Sequence, residues 1–194
     1  NITTAANSSI LRIDTNTGNR TKISGESTGS GPDFFFPSSI AVYGVDGKEQ
    51  SCMENDSLDP ITVYGSNKLY VEKLGINYST HNDQLSNNKY FIDFRSLRFP
   101  GLISSNTVPS GGTSDFIPEM WHNIKNYNMY ECFVHENSRL PFLAMPDAIK
   151  AINQLMAMSS EQIQSRIYNV TSFNPSASEF FKLIKEFYPT AKVF

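Results

Sequence analysis

Short alternating runs open the chain, and longer apolar stretches begin only at Phe34. In the polar first 33 residues, ILRID and RTKIS flank the turn-forming NTGN, which predicts a small hairpin or loose surface with no core of its own. DFFFPSSIAVYG reads as a buried strand of a parallel sheet that ends in small hydroxyl residues and a glycine. A polar linker from Gly47 to Asp59 leads to ITVYGSNKLYVEKLGI, where Val63, Leu69, Val71, Leu74 and Ile76 fall at helical spacing. Beyond a polar loop, Asp83 to Lys89, YFIDFRSLRFPGLIS predicts a second long strand, stopped by Pro100 and Gly101. Strand, helix and strand in this order predict a right-handed crossover unit of an α/β sheet.

The second half continues the alternation. SNTVPSGGTS is loop chemistry, and DFIPEMWHNIKNY predicts a helix capped by Asp115 with Pro118 in its first turn. YECFVH reads as a short strand and MPDAIKAINQLMAM as an amphipathic helix whose first turn carries Asp147, suited to the positive end of the helix dipole. IYNVTS predicts another strand, PSASEFFKLIKEFYP a last amphipathic helix ended by Pro189, and TAKVF a terminal strand with nothing after it to pair or cover it.

Candidate chemistry sits on the first helix. Tyr64 and Lys68 are four residues apart, so hydroxyl and ammonium share one face. An ammonium beside a phenol stabilises the phenolate and draws a tyrosine toward the working range of a general base. The same spacing also describes a half-buried tyrosine beside a solvated lysine. Ser38 and Ser39 close the preceding strand, where ligands of parallel sheets bind, and a serine there can hydrogen-bond a substrate oxygen. They serve equally as the end of a strand and the start of a turn. His81, His122 and His135 lack metal-ligand spacing and no Cys/His cluster exists, so no metal is expected. Trp121, Phe133 and Phe142 read as core or interface aromatics.

Composition narrows the partners. A 194-residue chain with 39% hydrophobic and 18% charged residues can bury a core. Its mean hydropathy is −0.33, and no apolar run approaches the roughly 20 residues that span a bilayer. The net charge of −3 supplies no basic field for a phosphate backbone, so a small polar ligand is expected rather than nucleic acid or a membrane. Cys52 and Cys132, far apart and outside any CxxC, fit a reducing compartment. Asn-x-Ser/Thr triplets at Asn1, Asn7, Asn19, Asn55, Asn77 and Asn169 are the counterweight, being glycan acceptors if the protein is secreted. A cytoplasmic or mitochondrial-matrix location is expected. Secretion stays open, because the chain lacks an initiator Met and a removed leader leaves no trace.

Five separated phrases, DPITVYGSNK, DFRSLRFPGLIS, SGGTSDF, ECFVHENSRLPFLAMPDAIKA and YNVTSFNPSASEF, resemble in order the extended short-chain dehydrogenase/reductase (NAD-dependent epimerase/dehydratase) family, most nearly its short-chain L-threonine 3-dehydrogenases. The resemblance runs from about Phe34 to the end. It implies an α/β fold, a partial Rossmann-like parallel sheet with a small α/β substrate domain, and a homodimer. It also implies NAD as cofactor and a small amino acid, L-threonine, as substrate. Tyr64 is then the base, Lys68 its activator and ribose ligand, and Ser39 the group orienting the hydroxyl. Pro100, Gly101 and Leu102 would lie beside the nicotinamide, and Gly112, Thr113 and Ser114 would meet the amino acid's polar end. A nucleotide-sugar epimerase or dehydratase and a non-catalytic binding protein are the alternatives.

One departure stands out. The family opens with a strand, a glycine-rich turn and a helix. SGESTGSG offers Gly25, Gly29 and Gly31 at fingerprint offsets, yet Pro32 and a strand follow it, and Ser39 comes too soon for a complete βαβ unit of roughly 30 residues. The expected organisation is therefore an unrelated polar leader over 1–33, the second half of a Rossmann-like domain over 34–105, and a C-terminally truncated substrate domain over 106–194. NAD affinity is expected to be weak, and the open sheet edge to need a partner or to cost stability.

Overall fold

The protein is described from a computed structural model, which describes residues 11–13, 20–22, 34–44, 52–80, 92–105, 108–109, 111–112 and 114–194. The NTGN turn, the SGESTGSG segment, the first part of the polar linker and the loop 83–89 lie outside the described residues. The predicted hairpin strands are β1 (Leu11–Ile13) and β2 (Arg20–Lys22), paired antiparallel with Leu11 opposite Lys22. The chain divides into two compact units, residues 1–98 with 150–169, and residues 99–149 with 170–194.

The first unit is built on a three-stranded sheet. Its order is β3 (Phe34–Ser39), β4 (Phe94–Phe99), β8 (Ile167–Asn169), and β4 and β8 are parallel with Leu97 opposite Tyr168. Central β4 is buried along its whole length. Because strand side chains alternate, Phe94 and Arg98 face one side, toward helix α1 (Val63–Thr80), and Arg95 faces the other, toward the end of helix α3 (Met145–Ala157). The sheet thus has helix on both faces, as parallel sheets require.

Two expectations for this unit are corrected. The run IAVYG does not prolong β3. Ser39 ends the strand and its Oγ accepts the N–H of Ala41 at 3.2 Å, starting a 3-10 helix, Ile40–Tyr43, that buries Val42 and Tyr43. Nor does α1 bury the whole predicted stripe: Leu69 is buried and Val71 and Ile76 are half-buried, but the rest is not. Val63 is 79% exposed and Leu74 is exposed as well, whereas the buried side runs through Gly65, Leu69, Glu72 and Ser79, with Gly75 half-buried between them. Close approach is the reason. A Cβ on Gly65 would lie 2.3 Å from the Ala41 carbonyl oxygen, and one on Gly75 would lie 2.4 Å from the Phe94 ring. Small residues let this helix lie against the sheet, so apolar spacing misreads its inner face.

The second unit is packed differently. β5 (Gly101–Ile103) is separated from β4 by Pro100 and pairs in parallel with β7 (Phe142–Ala144), Leu102 opposite Leu143. Helix α2 (Phe116–Tyr127) and helix α4 (Ala177–Phe187) enclose an apolar core that includes Phe116, Ile117, Met120, Ile124, Phe142 and Ile184. A reciprocal cap starts α4: Ser176 Oγ accepts the Glu179 N–H, and the Glu179 carboxylate accepts the Ser176 N–H.

Three further expectations change here. Asp115 holds the cap position of α2, but its carboxylate turns back into the loop and accepts the N–H groups of Gly111 and Gly112 at 3.0 and 2.8 Å. YECFVH supplies only its first residue, Tyr130, to the two-residue strand β6 (Met129–Tyr130), since the residues after it follow an irregular path stitched by loop hydrogen bonds. The terminal strand β9 (Lys192–Val193) does find a partner. It pairs in parallel with β6, and Phe194 and Tyr130 share a backbone bond of 3.1 Å.

Candidate active site

The first unit carries the groups best suited to proton transfer. Thr62 starts α1, its Oγ1 accepting the Gly65 N–H at 3.0 Å. Within the first two turns, Tyr64 and Lys68 lie on the same side of the helix, as their spacing predicts. Lys68 Nζ stands 5.4 Å from the Tyr64 ring centroid and 4.8 Å from that of Phe36, and donates to the Pro37 carbonyl at 2.6 Å. The ammonium is therefore anchored to β3 two residues before Ser39. Tyr64 is 56% exposed.

The paired serines take opposite sides of β3, as strand alternation dictates. Ser38 is buried and donates to Glu72 Oε1 at 2.5 Å. Ser39 is half-buried. Its oxygen accepts from Ala41 N–H, and a hydroxyl used as an acceptor keeps its own proton.

The remaining predicted site residues belong to the second unit. Pro100 is buried. Gly101 donates to the Pro141 carbonyl at 3.1 Å and passes so close to Phe142 that a Cβ would lie 2.5 Å from its ring. Leu102 is partly exposed. Gly112 is exposed and tied to Asp115, Ser114 is half-buried just before α2, and Thr113 lies outside the described residues. Asp147 is exposed in the first turn of α3, the position read for it from sequence. His81 lies outside the described residues, and His135 accepts the Asn137 N–H through Nδ1. Among the described residues no three His, Cys, Asp or Glu side chains come together as a metal ion would need, and no helix is long and apolar enough to cross a membrane.

Sequence reading missed a set of buried ions beneath this face. Arg98 forks onto Glu72, Nε to Oε1 at 2.9 Å and Nη2 to Oε2 at 2.8 Å, with both side chains almost wholly buried. Burial alone would lower the Arg98 pKa, but Glu72 and then Tyr43 more than offset it, so the guanidinium stays charged. Arg98 Nη1 donates to the Tyr43 hydroxyl at 2.6 Å, and burial pushes that phenol's pKa up despite Asn169 and Arg98. A second cluster centres on Asp93, which accepts from Arg95, Arg166 and Ser160. Burial would raise its carboxyl, yet Arg95, Ser160 and Arg166 hold it below its ordinary value. Arg95 also caps α3, donating to the carbonyls of Leu155 and Met158.

With this geometry established, the relatives can be compared. The family model described as "NAD dependent epimerase/dehydratase family" matches residues 3–171. Mitochondrial L-threonine 3-dehydrogenase of Bos taurus is 31% identical over 163 residues, covering 82% of this chain and 42% of that protein. Among solved structures, a monomeric L-threonine 3-dehydrogenase from a metagenome is 38% identical with a TM-score of 0.74, covering 82% of this chain and 49% of that one. L-threonine dehydrogenase of Phytophthora infestans is 33% identical with a TM-score of 0.74 at the same coverages. The chain thus spans less than half the length of these relatives. Its parallel sheet with helices on both faces is Rossmann-like, as in those structures, and the chain belongs to the NAD dependent epimerase/dehydratase family.

Proposed function

We propose that this chain carries the proton-transfer half of an NAD-dependent oxidoreductase that converts L-threonine to 2-amino-3-oxobutanoate. The carrying observation is that Tyr64 and Lys68 share one side of α1, with Lys68 pinned by Pro37 beside the strand end that presents Ser39. A nicotinamide dinucleotide, when bound, supplies the acceptor for the hydride that leaves C3. The donor set fits its ribose end: Lys68 offers N–H donors, and the exposed Tyr64 hydroxyl both donates and accepts. Ser39 directs its proton at the C3 oxygen of the substrate. Tyr64, as phenolate, accepts the proton of the C3 hydroxyl as the C3–O bond becomes a carbonyl, and Lys68 stabilises that phenolate. By the resemblance of their sequence phrases alone, Pro100, Gly101 and Leu102 would lie on the nicotinamide side, and Gly112, Thr113 and Ser114 would receive the carboxylate and amine.

The reading is supported by the names of the relatives and by the match of chemistry to spacing. Assembly as a homodimer is part of it, favoured by exposed Val63, Tyr70, Leu74 and Tyr78 on α1, although one relative is described as monomeric. The compartment proposed is cytoplasm or mitochondrial matrix, the latter in keeping with the bovine relative.

NADH absorbance decides the matter. Formation with L-threonine supports the reading, whereas conversion of UDP-glucose without net NADH, followed by chromatography of the sugar nucleotide because such enzymes return the hydride, selects a nucleotide-sugar enzyme using the same Tyr64 and Lys68. Tyr64→Phe removes one exposed hydroxyl, so turnover should vanish while the unfolding midpoint holds. Calorimetric titration with NAD, run alongside, measures how much affinity this length of chain retains, and sedimentation gives the assembly state.

A further inference from the structure

Glu72 is two helical turns from Tyr64 and one from Lys68, on the inner side of α1, where an apolar residue would ordinarily pack. Its carboxylate is fully engaged. Oε1 accepts from Ser38 Oγ at 2.5 Å and from Arg98 Nε at 2.9 Å, and Oε2 accepts from Arg98 Nη2 at 2.8 Å. Arg98 then reaches outward through Nη1, to the Tyr43 hydroxyl at 2.6 Å and the Glu54 carbonyl at 3.2 Å. The Tyr43 proton has two acceptors in range, Asn169 Oδ1 at 2.8 Å and the Met53 carbonyl at 3.1 Å. Asn169 Nδ2 donates to the Cys52 carbonyl at 3.0 Å. Three consecutive carbonyls, those of Cys52, Met53 and Glu54, are thereby fixed by one buried network that starts at Glu72.

A buried ion pair is poor value as a source of stability, because desolvating two charges consumes most of what their attraction returns. Well-packed apolar residues would hold helix to sheet as firmly. What they would not supply is a fixed register, since apolar contacts tolerate sliding and a bidentate fork does not. The residues locked here surround the proposed site. Ser38 precedes Ser39, and Pro37, before it, receives the Lys68 ammonium. Two polar ties, Lys68 to Pro37 and Glu72 to Ser38, therefore join α1 to the end of β3.

We propose that Glu72, with Arg98 as its counter-ion, is a positioning residue that sets the register of α1 against β3 and so the placement of Lys68 and Tyr64 relative to Ser39. The proposal rests on the function above for its meaning, but its geometry is tested without turnover. The test is lysine labelling of the full chain with an acetylating reagent, well below the melting temperature, with the rate at each site followed by mass spectrometry. Two variants are compared with the parent. Ser38→Ala removes one tie without stranding a charge, and Glu72→Met/Arg98→Met replaces the ion pair by apolar residues of similar length. Lys68 should label about fivefold faster in both, the population change expected from losing one net hydrogen bond. Lys73, exposed on the same helix, should keep its rate. A Lys68 rate that is unchanged, or that rises only in step with Lys73, overturns the proposal. Should the double variant not fold, Ser38→Ala decides alone. Absence of NADH formation in a parent chain that calorimetry shows to be saturated with NAD would sink the functional reading and leave the labelling result standing.

Discussion

The two units solve the problem of a buried centre in opposite ways. In the first, the middle strand carries Arg95 and Arg98, and the interior holds Asp93 and Glu72 to match them. In the second, Phe116, Phe142, Ile117, Met120 and Ile184 pack without a buried ion pair among the described residues. An apolar interior follows from area alone and tolerates repacking, whereas ion pairs demand particular partners at particular distances. The unit bearing Tyr64, Lys68 and Ser39 is the one that has accepted the stricter terms. Positional precision is concentrated where proton transfer would need it.

The contrast is most sharply broken by removing one charge. Arg98→Met strands Glu72 in the interior and should cost about 3–5 kcal/mol, read by urea denaturation, with Glu72→Met/Arg98→Met recovering most of it. If the single variant loses under 1 kcal/mol, the first unit does not depend on its ions. In the second unit, Ile117→Ala should cost about 2–5 kcal/mol through a cavity, and no second substitution of a polar partner should restore it. Gly75→Ala pushes a methyl into the Phe94 ring and should destabilise by about 1–3 kcal/mol, with Phe94→Leu relieving it. Ser176→Ala unmakes the α4 cap for about 1 kcal/mol, a loss visible in helix content as well as midpoint.

Acid gives the smallest effect. The Arg139 guanidinium and the Ser176 N–H hold the Glu179 carboxyl down at about 2, against an ordinary value of 4.5. A carboxyl lowered on folding contributes stability that is fully present above its ordinary value and lost as pH falls through the folded one. Helix α4 should therefore weaken between pH 4.5 and about 2. Arg139 and Glu179 are both exposed, so high salt should shrink the effect, and Glu179→Gln should abolish it.

These differences also explain what the sequence discloses. Tyr64 and Lys68 could be paired from spacing because a helix converts four residues into one face, and α4 could be placed because a capping box is a local signal. The inner face of α1 is only partly legible by counting apolar residues, since Leu69 shares it with Gly65, Glu72 and Ser79, and half-buried Gly75. The burial of Arg98 leaves no local signal, because a charged residue in a strand is ordinarily assigned to solvent and its partner is 26 positions away. The strand end at Ser39 was hidden inside a continuous apolar run that turns into a 3-10 helix. The pairing of β6 with β9 joins Tyr130 to Val193, and no short-range pattern marks two such brief strands as partners.

The approach of α1 to β4 through Gly75 carries an evolutionary consequence. Because the missing side chain at 75 is the space that the ring at 94 occupies, the two positions are free to change only together. Descendants that enlarge the first should be found to have trimmed the second, so the pair ought to drift as a unit while the surrounding surface varies independently.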